Sequence, residues 1–218
     1  MSFYFKQLEL GPMQNYVYLL GDPETKEAAV VDPAWNSKAI LQELTKDGYA
    51  LKHIILTHGH YDHVNAVEDL VPETDATVHA QKVELEEFIP SGAGGLVLPK
   101  SSLRKTSFDQ TIKLGDLEIR LVHTPGHTPG SQCVLFDGNV ITGDTLFVGT
   151  CGRCDLPGSN PEHLYQSLQK LKSLPETTIF YPGHDYGASP SNTIQNEKKR
   201  NPFLMVHDLE SFLNLVRH

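Results

Sequence analysis

The chain has 218 residues, 39% of them hydrophobic and 21% charged, with a formal net charge of −9. This is the balance of a soluble globular protein long enough to bury a sizeable core, and its acidic field opposes partners bound through phosphate neutralisation, such as nucleic acid or an anionic membrane surface. MSFYFKQLEL has no basic head followed by an apolar stretch, and no run approaches about 18 apolar residues, so the cytoplasm is the expected compartment.

In chain order, apolar runs predict strands at Phe3 to Leu8, Tyr16 to Leu20 and Ala28 to Val31. Asn36 or Ser37 caps a helix to about Asp47, with Ile40, Leu41 and Leu44 on one face and Gly48 past its end. A short strand follows at His53 to Leu56, then helical spacing from Asp62 to Leu70, a strand at Thr77 to His79 and a helix near Lys82 to Phe88. Pro90 to Thr106, with SGAGGLVLPKSS at its centre, reads as one long loop, a length that often marks a functional lid.

The second half predicts strands at Thr111 to Leu114, Leu117 to His123, Cys133 to Phe136 and Val140 to Thr142. Pro161 starts a helix through Leu164, Leu168 and Leu171. Thr178 to Tyr181 is a strand, and Asp208 to Val216 an amphipathic closing helix. Both halves pass from sheet to helix with no linker between them, which predicts a single α/β domain over residues 1–218 with two packed sheets flanked by helices.

Three cysteines, Cys133, Cys151 and Cys154, are too few for a disulfide scaffold. The CxxC spacing of Cys151 and Cys154 has no second pair to complete a zinc tetrahedron, so they read as reduced thiols in a loop. Histidine carries the stronger signal. Residues 57 to 63 read THGHYDH, directly after the apolar HIIL. In extended chain, residues two apart share a face, so His58 and His60 project together past the strand end. Asp62 and His63 come where the chain turns into the next helix. Imidazole and carboxylate suit borderline cations such as Zn²⁺, Mn²⁺ or Fe²⁺. His127 in HTPGHTPGS, Asp144 in ITGDTLF and His184 in IFYPGHDYG each sit where an apolar run gives way to a turn. His123 lies within the preceding strand, so His127 is the better ligand. His53, His79, His163, His207 and His218 lack such a context.

THGHYDH, TPGHTPGS, TGDTLF and YPGHDYG, in that order, resemble the ligand motifs of the metallo-β-lactamase superfamily, most closely its glyoxalase II-like branch. The resemblance covers about residues 16 to 202. It implies a four-layer αβ/βα sandwich with two mixed sheets and a site for two divalent metal ions, zinc first, with iron or manganese as alternatives. His58, His60 and His127 would hold one metal and Asp62, His63 and His184 the other, with Asp144 bridging them. Asp62 and Asp144 would be the catalytic carboxylates. The implied activity is hydrolysis of a small thioester or ester by a metal-bridging hydroxide.

Full-length glyoxalase II enzymes carry a helical C-terminal extension whose basic residues hold glutathione, whereas 34 residues follow His184 here. Lys198, Lys199 and Arg200 are the candidates for part of an anion site, with Arg153 a further substrate contact. Cys151-Gly152-Arg153-Cys154-Asp155 resembles the CGR-x-D stretch of persulfide dioxygenases, a sister branch. That alternative implies one Fe²⁺ on His58, His127 and Asp144. A non-catalytic metal-binding protein is the third reading, but structural zinc needs only four closed ligands, fewer than the seven candidates here. The expected partner is a small-molecule substrate.

Overall fold

The computed structural model describes residues 3–89, 102–107 and 109–217. Its first sheet runs β1 (Tyr4–Leu10), β2 (Asn15–Gly21), β3 (Glu27–Val31), β4 (Ala50–Ile55), β5 (Thr77–Gln81) and β6 (Leu103–Thr106), in that spatial order. The first three strands are antiparallel; β3 to β6 are parallel. The second sheet has the order β14 (Asn192–Thr193), β13 (Ile179–Pro182), β10 (Asn139–Gly143), β9 (Gln132–Phe136), β8 (Leu117–His123) and β7 (Gln110–Leu114). Only β10 and β13 pair in parallel there. A small hairpin, β11 (Leu146–Phe147) and β12 (Thr150–Cys151), stands apart.

Side-chain alternation in β2 shows how the layers form. Val17 and Leu19 pack with Ile40, Leu44, Val67 and Leu70 on the outer face of the first sheet. Tyr16, Tyr18 and Leu20 point the other way, against Ile112, Ile119, Val134 and Ile141 of the second sheet. A strand buried on both faces cannot slip by one residue without exchanging these two cores. A third cluster, including Leu164, Leu168, Phe180, Leu204 and Phe212, covers the outside of the second sheet. The result is the expected four-layer sandwich, helices–sheet–sheet–helices.

The helices begin and end for local reasons. In α1 (Ser37–Lys46) the Asn36 side chain accepts from Ala39 N–H, and Gly48 follows with φ of +79°. In α4 (Pro161–Lys172) Asn160 accepts from His163 N–H ahead of Pro161, and Leu164, Leu168 and Leu171 are buried. Truncating one of these leucines to alanine costs about 2–5 kcal/mol.

Three expectations change. The helix predicted from Asp62 to Leu70 is two, α2 (Tyr61–Val64) and α3 (Val67–Thr74). The break lets Asn65 Oδ1 accept from Trp35 N–H at 2.6 Å and Ala66 N–H reach the Pro33 carbonyl. The segment near Lys82 to Phe88 contains a π-helical turn, Glu84–Phe88. Leu103 to Thr106, predicted as loop, is strand β6; its pairing with β5 supplies the hydrogen bonds that a loop would leave open. The central part of that predicted loop, 90–101, lies outside the described residues. Sequence reading passed over the short α5 (Ile194–Arg200) and α6 (Pro202–Met205) ahead of α7 (Leu209–Val216). Among the described residues no helix is long and apolar enough to cross a membrane.

Candidate metal centre

Parallel strands place their carboxyl ends along one edge, the position where open α/β sheets bind ligands. Here β3 leads into Asp32, β4 into Thr57 and His58, β10 into Asp144 and β13 into His184. Three backbone bonds join the sheets at this edge: Tyr16 N–H to the Gly183 carbonyl, 2.8 Å, Asp185 N–H to the Gln14 carbonyl, 2.9 Å, and Gln132 N–H to the Thr57 carbonyl, 2.8 Å. Four separated sequence motifs therefore meet in one place.

His58, His60 and His127 form the first group. One ligand-type nitrogen from each lies within 4.8 Å of the others. The three ring centroids stand 4.7, 4.8 and 4.9 Å apart. Burial holds His58 well below the usual histidine range, His60 down at about 4, and His127 also low. These rings are neutral at pH 7 and present lone pairs. His127 Nδ1 donates to the Arg153 carbonyl at 2.8 Å, which turns Nε2 toward the pocket.

Asp62, His63 and His184 form the second group. His63 Nδ1 lies 3.0 Å from Asp32 Oδ2, and its Nε2 lies 3.0 Å from His184 Nε2. Burial opposes charge on His63, but the carboxylates of Asp144, Asp32 and Asp62 outweigh it and push the ring up to about 9. His184 Nδ1 donates to the Met13 carbonyl at 2.8 Å. Asn15 Nδ2 donates to Asp62 Oδ2 at 2.9 Å and is itself fixed by Trp35 Nε1–H on its Oδ1 at 2.7 Å.

Asp144 stands between the groups. Its Oδ2 is 3.6 Å from His127 Nε2 and 3.5 Å from His184 Nε2, and its Oδ1 is 3.4 Å from His63 Nε2. Burial works against its charge, but His63, His184 and His58 keep the carboxyl well below its ordinary range. Gly183 is required beside it, since a Cβ there would fall 2.2 Å from Asp144 Oδ1.

These residues fit cations on three grounds. First, His58 Nε2 and Asp144 Oδ1 are buried with no hydrogen-bond partner, a loss of about 1–3 kcal/mol for each buried polar atom left unmade. Second, nitrogens meet nitrogens, His60 Nδ1 with His127 Nε2 at 2.9 Å and His63 Nε2 with His184 Nε2 at 3.0 Å. Third, atoms bound at about 2.1 Å to one tetrahedral cation stand about 3.4 Å apart, close to the 3.4–3.6 Å between the Asp62 and Asp144 oxygens and the neighbouring ring nitrogens. All seven predicted ligand positions are thus brought together. His123 is not among them; its Nε2 donates to the Pro129 carbonyl at 2.9 Å. His53 and His79 face each other at 3.0 Å on neighbouring strands.

Sequence reasoning missed the residues behind the ligands. Asp32 could have been found, because VVDP repeats the apolar-run-then-acid pattern of Asp144. Asn15, Glu84 and the carbonyls of Met13 and Arg153 carry no such signal. Two expected substrate contacts are occupied elsewhere. The exposed Arg153 guanidinium makes two 2.9 Å bonds to Asp155, while its carbonyl accepts from His127. Lys198 lies 3.6 Å from Glu176, which precedes β13, whereas His184 follows that strand. Lys199 and Arg200 are exposed on the last turn of α5. Cys151 and Cys154 are free, partly buried thiols, pushed up by burial.

A family model described as the metallo-beta-lactamase superfamily matches residues 10–184. The chain is 35% identical over 200 residues to the probable polyketide biosynthesis zinc-dependent hydrolase PksB of Bacillus subtilis (strain 168), covering 91% of this chain and 85% of that protein. It is 37% identical over 177 residues to the hydroxyacylglutathione hydrolase of Pseudomonas fluorescens (strain SBW25), covering 80% of this chain but only 63% of that enzyme. In three dimensions it resembles ETHE1 from Myxococcus xanthus with a TM-score of 0.86 and 31% identity, covering 99% of this chain and 90% of that one. Fold, ligand-type residues and relatives agree: the chain belongs to the metallo-β-lactamase superfamily, and its likenesses fit the glyoxalase II-like branch.

Proposed function

We propose that residues 1–218 act as one domain, a metallo-hydrolase that cleaves a small thioester or ester at a pair of divalent cations, zinc first. The observation that carries this reading is the Asp144 carboxylate, within 3.6 Å of histidines from both groups. His58, His60 and His127 would hold one cation, and Asp62, His63 and His184 the other, with Asp144 shared. Cations held there would supply hydroxide at neutral pH, since a metal lowers the pKa of its water to about 7, and would polarise a carbonyl oxygen.

The chain's own part is to orient and to hold charge. Neutral imidazoles in the first group bind without first losing a proton. Asp32 takes the far nitrogen of His63 and fixes its ring, as Met13 does for His184. Exposed Tyr186 stacks on His184 of the second group at 4.5 Å, and exposed Tyr61, next to Asp62 in the chain, meets Trp35 edge-on. Lys199 and Arg200, exposed on α5, would be the contacts for an anionic substrate.

Likeness to ETHE1 and the CGR-x-D stretch favour a second reading, a persulfide dioxygenase with one iron on His58, His127 and Asp144. Elemental analysis beside thioester turnover and persulfide-dependent oxygen uptake separates the two. Close to two metals per chain with thioester turnover is expected. One iron per chain, resistant to zinc or manganese and accompanied by oxygen uptake, would replace the hydrolase reading.

A further inference from the structure

Glu84 is 1% exposed, and no basic side chain is paired with it in the ion pairs among the described residues. Burying a carboxylate is costly unless donors meet it. Here three do. Oε1 accepts from Gly59 N–H at 2.6 Å. Oε2 accepts from Gly130 N–H at 2.8 Å and from the Thr128 hydroxyl at 2.9 Å.

The two oxygens address two different loops. Gly59 lies between His58 and His60, and Thr128 directly follows His127. Gln132 ties the bases of these loops, its side-chain Nε2 donating to the Leu56 carbonyl and its backbone N–H to the Thr57 carbonyl. Glu84 ties their tips, where the histidines are. Its approach leaves Gly130 no room for a side chain, since a Cβ there would stand 2.5 Å from Glu84 Cβ; a Cβ on Gly59 would stand 2.7 Å from Ile89 Cγ1 and 3.0 Å from Glu84 Oε1. Glu84 itself opens a π-helical turn, a rare geometry that often marks functional positions.

Two imidazoles of the first group come from one loop and the third from the other. Their convergence therefore depends on the distance between the loops, which Glu84 spans. We propose that Glu84 is a positioning residue for the three-histidine group, fixing the two ligand loops against each other so that this half of the site binds its cation tightly. The inference rests on the metal-site reading above.

The test is titration of metal-free protein with Co²⁺ against a competing chelating dye, which reads binding without any turnover. His60→Ala and His184→Ala identify which binding step belongs to which group. In Glu84→Gln one amide oxygen can still accept from Gly59, but the amide NH₂ then faces the donors of the other loop. Its first-group affinity should fall at least about tenfold, the usual effect of losing a partner behind metal ligands, with the second-group step unchanged. Thr128→Val removes one of the three donors and should weaken the same step by a smaller factor, which keeps the test alive if Glu84→Gln does not fold. Equal weakening of both steps together with a lower melting temperature of metal-free protein would overturn the proposal and leave Glu84 a general structural residue. An unchanged first step in Glu84→Gln or, if that does not fold, in Thr128→Val would also overturn it. A wild type with a single step that His60→Ala abolishes would sink the two-metal reading and leave Glu84 to be judged on that step. A single step lost only in His184→Ala would leave Glu84 nothing to position and sink the proposal itself.

Discussion

The two ligand groups share Asp144 but are built into the protein in opposite ways. The first is three imidazoles, kept neutral by burial and held in place by backbone: the Arg153 carbonyl on His127, and loop amides gathered by Glu84. The second is rich in charge, with Asp62 a member, Asp32 behind His63, and a His63 ring pushed up to about 9. The carboxylates of Asp144, Asp32 and Asp62 all face His63, whereas His58 Nε2 of the first group has no hydrogen-bond partner. One half is thus organised by geometry, the other by electrostatics.

The largest expected effect is at the shared carboxylate. Asp144→Ala should bring turnover to background and lower metal content, because both groups lose their common member; measured turnover and elemental analysis check it. Substantial remaining activity would mean the groups act separately.

His184→Ala removes one member of the charge-rich half. A dinuclear hydrolase should lose most of its turnover, while an enzyme using one iron on His58, His127 and Asp144 should keep much of its oxygen uptake. Near-normal hydrolysis by this variant would sink the ligand assignment.

Asp32→Asn tests the electrostatic half more gently. Asp32 has φ of +51°, and asparagine tolerates that region, so the backbone is not strained. Losing the carboxylate behind His63 should weaken the second metal about 10- to 100-fold, and the first by a smaller factor, since Asp32 also accepts from the Thr57 hydroxyl, which lies 3.0 Å from His58 Nδ1. The same cobalt titration reads it. Equal loss at both sites would erase the distinction drawn between the groups.

The smallest effect is at the rim. Lys199→Glu or Arg200→Glu should raise KM for anionic thioesters and hardly change it for neutral ones, since each hydrogen-bonded charge contact contributes about 1.5–3 kcal/mol at most. Lys198→Glu should leave both unchanged, because Lys198 pairs with Glu176. If charged and neutral substrates respond alike in all three, the cluster is a solvated face.

The sequence by itself determined most of the longer strands, the capped helices α1, α4 and α7 and the seven ligand-type positions, but not β6, α5 or α6. Each depends on local rules: alternation fixes which face a strand residue takes, and a Pro-Gly or Asp turn after an apolar run puts the next side chain at the sheet edge. Tertiary structure decided what stands behind those ligands. Met13 and His184 are 171 residues apart, Glu84 and Gly130 are 46, and Asn15 and Asp62 are 47. Glu84 sits in an acidic run with Glu86 and Glu87, and Glu86 is paired with surface lysines. Nothing in that run distinguishes the buried carboxylate from its solvated neighbour. The direction of the basic cluster was hidden for the same reason: one turn of α5 places Lys198 on Glu176, and only the packing of α5 against β14, α4 and α6 decides where that turn lies.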